Sequence, residues 1–450
     1  MLFQLISYSK FSLRGFNDFR SAVGGLFFSW VLTVATAVAL IQRGISKIVV
    51  YEKANELQPI GAAIGLFPNG FSALNEISPT LTKRVREACI HHTISKMYDL
   101  DGSTLVREID FTKSSAGSFR TSPTYMVWYL LQQYLCEELP PHVIQLGTIV
   151  ESYQVDPKDE RVIVSVQNRI SGGQKHIISG RVLVGADGIH STIRRLMLGD
   201  IQLRYHGKRM FRGVLPINQL PEGFHCPPTG VSHSYQGNEM GKLFVFRETS
   251  PGIMTFTAMA VFPNDSKEES EIHESKKDRM HGTFHEFPSD VHDLIDHMKD
   301  SSIYENAIYD IPVLERWSEG PVVLIGDAAH AMTPGMGQGA NQGLEDACEL
   351  AYCVTQYFLP GQQERPNVSH DGGNDRDKEH RTLLTTRSIS SVLEEFWRQR
   401  LDRIKFVHGL SSERTQAVNQ STKESRIYDQ ANDQSFEEKL YDWKPSFSTE

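Results

Sequence analysis

The sequence has few cysteines, and their spacing excludes the sites that cysteine most often builds. No Cys-x-x-Cys pair and no metal-ligand spacing occurs among its five cysteines, which are Cys89, Cys136, Cys226, Cys348 and Cys353. This pattern predicts reduced, intracellular core residues and argues against a disulfide framework. The sequence also lacks a Ser/His/Asp set and a paired-carboxylate signature, so its side chains alone do not account for a reaction.

The sequence also lacks an excess of positive charge. The net charge is −9 and no basic stripe is present, which excludes nucleic acid as the expected partner. The 450 residues, with 40% apolar and 22% charged residues, fit a soluble globular protein of two or three domains.

One long stretch has no charge at all. Ala22 to Ile41 is uncharged over twenty residues and follows three basic residues. Its length allows a membrane anchor or a signal segment. Its hydroxyl residues Ser29, Thr33 and Thr36 favour a helix of a soluble domain, so intracellular location is expected and membrane association is the less favoured alternative.

The stretch Pro321 to Ala347 predicts a strand, a glycine-rich loop and a helix. Val322 to Ile325 are aliphatic, and the strand ends at Gly326-Asp327. Gly335, Gly337 and Gly339 then alternate before a helical apolar stripe made of Ala340, Leu344, Ala347, Ala351 and Val354. Backbone N–H groups at such a helix start can close on a ligand with partial negative charge, and Asp327 can accept hydrogen bonds from sugar-like hydroxyls.

This stretch resembles the ribityl-binding motif of single-component FAD-dependent monooxygenases, the para-hydroxybenzoate hydroxylase-like group. That group includes salicylate hydroxylase, kynurenine monooxygenase and zeaxanthin epoxidase. The resemblance implies an α/β fold: a Rossmann-like FAD-binding domain of three-layer ββα type, an inserted, mostly antiparallel substrate domain and C-terminal helices. It implies that Pro334 and Gly337 place the flavin ring as catalytic positions. It also implies that the cofactor contacts Gly326, Asp327, Gly337, Gln338, Gly339 and Ala340.

The N-terminal FAD fingerprint is incomplete. Gly24 and Gly25 resemble only its last part, and we expect the first strand and the first glycine to be absent. A predicted strand over Lys47 to Tyr51 leads to Glu52, which is placed to bind the adenosine ribose, with Lys53 beside it.

The spacing between the last glycine and this acidic residue is long. Gly25 and Glu52 lie 27 residues apart, about seven more than usual. Two explanations fit: a helix two turns longer than usual, or foreign residues around Leu26 to Leu32 from a misassembled reading frame. The expected lack of a first strand favours the second.

Two further segments resemble the family. Gly61 and Gly65 lie in a loop that is expected to pass near the flavin ring. Asp187 and Arg194, in GADGIHSTIRR, correspond to a motif near the FAD pyrophosphate that also helps to hold the nicotinamide cofactor. Capping of a helix by Asp187 is the alternative. Where the family carries an arginine, this chain has Trp128, which we expect in the core.

The predicted boundaries follow from these segments. The FAD-binding domain spans 21–200 and 311–358, the substrate domain 201–310, a polar loop 359–387, and the C-terminal helix and tail 388–450. Arg212 and Arg247 lie in predicted strands of the substrate domain. They could meet an acidic substrate, although a solvated strand face is the favoured interpretation.

The resemblance implies that NADH or NADPH reduces FAD, that O2 is activated, and that one oxygen atom reaches a small substrate. The products would be a hydroxylated aromatic ring or an epoxidised alkene, with the flavin supplying the chemistry. Two alternatives remain: another flavin-dependent reaction, such as that of a reductase or halogenase, and a flavin-less product of a faulty gene model.

Overall fold

The computed structural model describes residues 3–7, 27–57, 62–112, 123–170, 172–237, 241–263, 275–359, 387–417 and 434–447. The first nine strands are β1 (Phe3–Ser7), β2 (Ile48–Glu52), β3 (Ala63–Leu66), β4 (Ile90–His91), β5 (Ile94–Tyr98), β6 (Leu105–Asp110), β7 (Thr124–Val127), β8 (Ile144–Gln145) and β9 (Thr148–Asp156). The others are β10 (Arg161–Asn168), β11 (Lys175–Gly180), β12 (Val182–Gly185), β13 (Arg204–Pro216), β14 (Val231–Gln236), β15 (Leu243–Ser250), β16 (Ile253–Val261), β17 (Ile303–Asp310), β18 (Ser318–Glu319) and β19 (Val322–Leu324).

The helices are α1 (Phe27–Gln42), α2 (Pro68–Ile77), α3 (Pro79–Ala88), α4 (Trp128–Glu137), α5 (Thr192–Leu198), α6 (Lys276–Thr283), α7 (Ser289–Asp296), α8 (Asp327–His330), α9 (Gly339–Phe358), α10 (Ile389–Ala417) and α11 (Gln434–Tyr441). Short 3-10 turns occupy Ile217–Gln219, Asp300–Ser302 and Pro334–Met336.

A mostly parallel sheet forms the centre of the nucleotide-binding half. Its strand order is β18-β19-β12-β1-β2-β8, and only β18 runs antiparallel to its neighbour. Aliphatic residues dominate these strands because both faces of the sheet are covered. Because β19, β12, β1 and β2 are parallel, their carboxyl ends lie along one edge of the sheet.

The expectation that the first strand is absent was wrong. β1 lies in the middle of the sheet, where Leu5 pairs with Val50 on one side and Val184 on the other. It has only five residues, two of which are polar, and residues 8–26 separate it from α1, so the usual strand-to-glycine spacing is not seen in the sequence. Gly24 and Gly25 lie outside the described residues.

The uncharged stretch forms a core helix. In α1, every residue from Trp30 to Leu40 is buried, and the helix packs against the sheet, α4 and α9. A Cβ atom at Gly343 would lie 2.2 Å from Cδ1 of Leu32, so this end of α1 is fitted closely to α9. The two explanations of the long spacing between Gly25 and Glu52 stay predictions, because Gly25 and Leu26 lie outside the described residues. Within the described parts of the chain, no helix combines the length and apolarity needed to cross a bilayer.

The second half is built on a seven-stranded sheet of order β17-β13-β16-β15-β14-β5-β6. All neighbouring pairs are antiparallel except β14 with β5. Residues 201–310 contribute five of its strands, and the sheet is mostly antiparallel, as the sequence predicted. The other two strands, β5 and β6, come from within 21–200, and the predicted domain boundaries stay predictions. Aromatic side chains under α6 and α7 give this half its own core.

The C-terminal helices return to the nucleotide-binding half. Leu393, Phe396 and Ile404 of α10 are buried in the main core, as predicted. Leu440 and Trp443 are buried as well, and Tyr441 stacks on Phe67 with ring centroids 5.3 Å apart.

Two predictions about single side chains have different outcomes. Trp128 is buried in the main core, as expected. All five cysteines are free thiols, but Cys226 is exposed, so its assignment to the core was wrong.

Candidate active site

Three carboxylates mark the carboxyl edge of the parallel sheet. Glu52 ends β2, Asp187 follows β12, and Asp327 follows β19. All three are buried. In open α/β sheets, ligands bind in the crevice outside the carboxyl ends of the strands, so these residues outline a binding crevice.

Asp327 faces a cavity at this edge. It begins α8 after Gly326, whose φ of 57° is open to glycine. Burial raises the pKa of Asp327 to about 6, while the charges of His330 and Arg194 act in the opposite direction. The cavity beside it is also lined by Thr333, Pro334, Gly337 and Gly339.

The start of α9 is shaped to receive a ligand. Pro334–Met336 forms a 3-10 turn, Gly337 adopts the left-handed conformation at φ 62°, and the helix begins at Gly339. A Cβ atom at Gly339 would meet no heavy atom within 4 Å, so the space in front of the first amides is open. That open cradle, the N-terminal helix dipole and the neighbouring Asp327 fit a dinucleotide such as FAD.

Asn341 joins this turn to the end of β3. Its side chain accepts from the N–H of Phe67 at 3.0 Å and donates to the carbonyl oxygens of Gly65 at 3.0 Å and Gly337 at 3.1 Å. The structure thus brings Gly65 to the start of α9, whereas Gly61 lies outside the described residues. The sequence contained one signal that could have indicated Asn341: it is a polar amide residue directly after Ala340, which belongs to the buried stripe of α9.

Asp187 caps a helix, as the alternative interpretation held. Its carboxylate accepts from the N–H groups of Thr192 at 2.7 Å and Ile193 at 3.2 Å, and from the hydroxyl of Ser191. Burial raises the pKa of Asp187, and these hydrogen bonds oppose the shift.

Arg194 connects the segment after β12 to α8. Its guanidinium donates to the carbonyl oxygen of Ala328 at 3.0 Å and to that of Ile189. Burial lowers the pKa of Arg194, while Asp187 and Asp327 act in the opposite direction. In the structure, Arg194 therefore holds α8 in place.

The end of β2 carries the predicted ribose site. Oε1 of Glu52 accepts from the N–H of Ala54 at 2.7 Å, which turns the chain away from the sheet. Lys53 is half-buried, and burial lowers its pKa while the charge of Glu52 raises it.

The seven-stranded sheet supplies the opposite wall of the cavity. Arg212 and Asn306 line it beside Met210 and Ile308. Arg212 donates to Oδ1 of Asn306, and burial lowers the Arg212 pKa to about 10. Nδ2 of Asn306 is buried and has no hydrogen-bond partner among the described residues. The favoured interpretation of Arg212, a solvated strand face, was therefore wrong.

Arg247 lies elsewhere on the same sheet. Its guanidinium stacks over the ring of Tyr125, 4.1 Å from the centroid. Its neighbour His92 is buried, and burial lowers the pKa of that imidazole to about 4. Across the described ranges, no cluster of His, Cys, Asp and Glu could hold a metal ion.

Comparisons with known proteins agree with this geometry. A family model described as FAD binding domain matches residues 34–358. The chain is 29% identical over 323 residues to 3-amino-4-hydroxybenzoate 2-monooxygenase PtnB3 of Streptomyces platensis, covering 71% of this chain and 76% of the relative. It is 28% identical over 348 residues to 3-hydroxybenzoate 6-hydroxylase 1 of Aquipseudomonas alcaligenes, covering 74% and 78%.

The fold is also similar to a solved structure. Klebsiella pneumoniae HpxO, complexed with FAD and uric acid, superimposes with a TM-score of 0.69 at 21% identity, covering 99% of this chain and 93% of that one. The predicted fold class is confirmed by this likeness. The chain belongs to the FAD-binding-domain family and is an FAD-dependent monooxygenase.

Proposed function

We propose that this enzyme uses NADH or NADPH and O2 to hydroxylate a small aromatic substrate that carries an anionic or acceptor-rich group. The observation that carries the proposal is the cavity between the two halves. One wall holds Asp327, Pro334 and Gly339, and the other holds Arg212 and Asn306. The names of two relatives, 3-amino-4-hydroxybenzoate 2-monooxygenase and 3-hydroxybenzoate 6-hydroxylase 1, describe oxygenation of hydroxybenzoates, which are aromatic carboxylates.

FAD fits the first wall. Asp327 would accept hydrogen bonds from the ribityl hydroxyls, and the amides of Gln338, Gly339 and Ala340 would face the flavin at the helix start. Pro334 and Gly337 would set the position of the ring. When bound, FAD supplies the activation of O2 and the transfer of one oxygen atom.

The other cofactor contacts follow the strand ends. Glu52 would accept from the adenosine ribose, with Lys53 beside it, and Asp187 and Arg194 would shape the pyrophosphate region. Asp187 and Arg194 bind backbone groups of α5 and α8. These contacts support an indirect role, in which both side chains fix the backbone around the cofactor.

The second wall would orient the substrate. A buried guanidinium attracts an anionic group strongly because little water screens the interaction. The N–H groups of Asn306 Nδ2 would add a second donor. The apolar side chains Ile189, Met210 and Met332 would contact the ring and exclude water.

The experiment is oxygen transfer from labelled dioxygen. The FAD-loaded protein is incubated with NADH or NADPH, ¹⁸O₂ and a panel of hydroxybenzoates and aminobenzoates. We expect substrate-stimulated NAD(P)H oxidation that requires O2, and one labelled oxygen atom in the product. An oxidation rate that is independent of O2, or a product without label, would contradict the proposal.

A further inference from the structure

We propose that Arg400, which lies outside every motif noted in the sequence, is a positioning residue for the FAD site. The inference rests on the proposed FAD contacts of Asp327 and Gly339. Arg400 belongs to α10, and its side chain is almost completely buried, with an exposure of 2%. Its guanidinium contacts two acids of α9, and through them it is connected to both chain segments that form the FAD wall of the cavity.

The guanidinium reaches two neighbouring acids of α9. Its Nε donates to Oδ1 of Asp346 at 2.8 Å, and its Nη1 donates to Oε2 of Glu345 at 2.6 Å. Nη2 donates to the side-chain oxygen of Gln342 at 2.9 Å. The planar fork of arginine suits such simultaneous contacts, which a single ammonium group cannot reproduce.

The first branch holds Asp327. Oδ2 of Asp346 accepts from the N–H of Gly326 at 2.9 Å and contacts Nε2 of His330 at 2.6 Å. Gly326 and His330 bracket α8, and Asp327 lies between them. One carboxylate therefore fixes both ends of the turn that directs Asp327 to the cavity.

The second branch holds the start of α9. Oε1 of Glu345 accepts from Nδ2 of Asn69 at 2.7 Å, and the same amide nitrogen donates to Oε1 of Gln338 at 2.9 Å. Gln338 directly precedes Gly339, so the chain of contacts ends at the helix start. Arg403 also binds Glu345, with 2.7 Å between Nη2 and Oε1.

Charge keeps these contacts together. Burial alone would raise the pKa of Asp346, but the charges of His330 and Arg400 hold it below the ordinary value. Removing the guanidinium would leave two buried carboxylates with less compensation. The segments would then shift to hydrate these groups, and Asp327 and the first amides of α9 would lose their alignment.

A purely structural ion pair is the competing explanation, and two readouts on the full-length protein separate it from positioning. Arg400→Met and Arg400→Lys are stripped of FAD and titrated with it by flavin fluorescence, and the midpoint potential of the reloaded flavin is measured. Displacing the helix start removes positive potential from the reduced flavin, so the midpoint potential should fall. A purely structural role would lower the melting temperature only.

We expect each folded variant to raise the FAD Kd at least fivefold and to lower the midpoint potential. Arg398→Met removes an exposed arginine of the same helix, paired with Glu394, and should leave both values unchanged. A folded variant in which either value stays at that of the parent would overturn the proposal. If Arg400→Met does not fold, Arg400→Lys decides alone. Neither readout depends on hydroxylation, so failure here is distinct from failure of the proposed reaction.

Discussion

Asn69 donates from Nδ2 to Oε1 of Glu345 at 2.7 Å, although 276 positions separate the two residues in the chain. Asn69 belongs to α2, which follows β3, and Glu345 belongs to α9. The two segments with family resemblance are therefore joined by buried polar contacts. A buried amide left without its partner costs free energy, so these contacts keep the start of α2 and the start of α9 in one arrangement.

The close packing of α1 on α9 predicts a stability effect. We expect Gly343→Ala to lower the free energy of unfolding by about 1–3 kcal/mol, because the new Cβ atom would lie 2.2 Å from Cδ1 of Leu32 in a packed core. Gly409→Ala is the matched control, since Gly409 is also within a helix but has open space around it. The free energy of unfolding of Gly409→Ala should rise by roughly 0.5–1 kcal/mol. Urea denaturation of both variants measures the difference, and equal stabilities would contradict the packing of α1 on α9.

Much of the fold follows from local patterns in the sequence. The run from Val322 through Asp327 to Gly339 predicted a strand, a turn and a helix, because alternation and glycine placement are local signals. β1 was not predicted because a strand of five residues is too short to show a clear alternation of apolar and polar residues. The pairing of β5 with β14 also escaped, since a parallel contact between distant segments depends on the assembled sheet.

The missed site residues are polar side chains whose burial depends on distant partners. Arg400 lies in a helix of ordinary amphipathic pattern, and nothing nearby in the sequence indicates that Asp346 and Glu345 will enclose it. Asn306 and Arg212 occupy strand positions that suit solvent equally well. Only the packing of the two halves places them at a cavity.

Asp187 predicts a second stability effect. Asp187→Ala should cost about 1–3 kcal/mol, because the N–H groups of Thr192 and Ile193 and the hydroxyl of Ser191 would lose a buried acceptor. Asp101→Ala removes an exposed aspartate that accepts from the N–H of Ser103, and we expect it to leave the melting temperature unchanged. Thermal unfolding of the FAD-free proteins compares them; similar losses would show that the cap does not stabilise α5.

Asp327 predicts a dependence of stability on pH. Burial raises its pKa from 3.8 to about 6, so the folded FAD-free protein binds the proton more tightly than the unfolded chain does. This group therefore adds stability as pH falls from about 6 towards 4, and its ionised form costs stability above pH 6. Asp327→Asn should remove this dependence, add on the order of 1–3 kcal/mol at pH 7.5 and weaken FAD binding.

Urea denaturation at pH 5 and pH 7.5 measures this effect. Asp402→Asn, at an exposed position of α10, is the control and should retain the pH dependence of the parent. The assignment fails if Asp327→Asn and the parent respond to pH in the same way.

Arg212 predicts substrate selectivity. Arg212→Gln should raise the KM for a hydroxybenzoate at least tenfold, because a charge-assisted hydrogen bond of about 1.5–3 kcal/mol is lost. The FAD Kd should not change. The amide analogue of the same substrate is the control. Because its group is neutral, Arg212→Gln should raise the KM for this analogue less than threefold. Steady-state kinetics with both compounds tests this, and equal losses would show that Arg212 does not recognise the anionic group.

The central claim is that FAD occupies the open space in front of α9, and Gly339→Leu tests it most directly. The Cβ atom of the new side chain would meet no heavy atom within 4 Å, so we expect the protein to fold with the melting temperature of the FAD-free parent. We expect FAD titration followed by flavin fluorescence to detect no binding, whereas Gly409→Leu should bind FAD like the parent. A folded Gly339→Leu protein that binds FAD with the Kd of the parent would contradict the account.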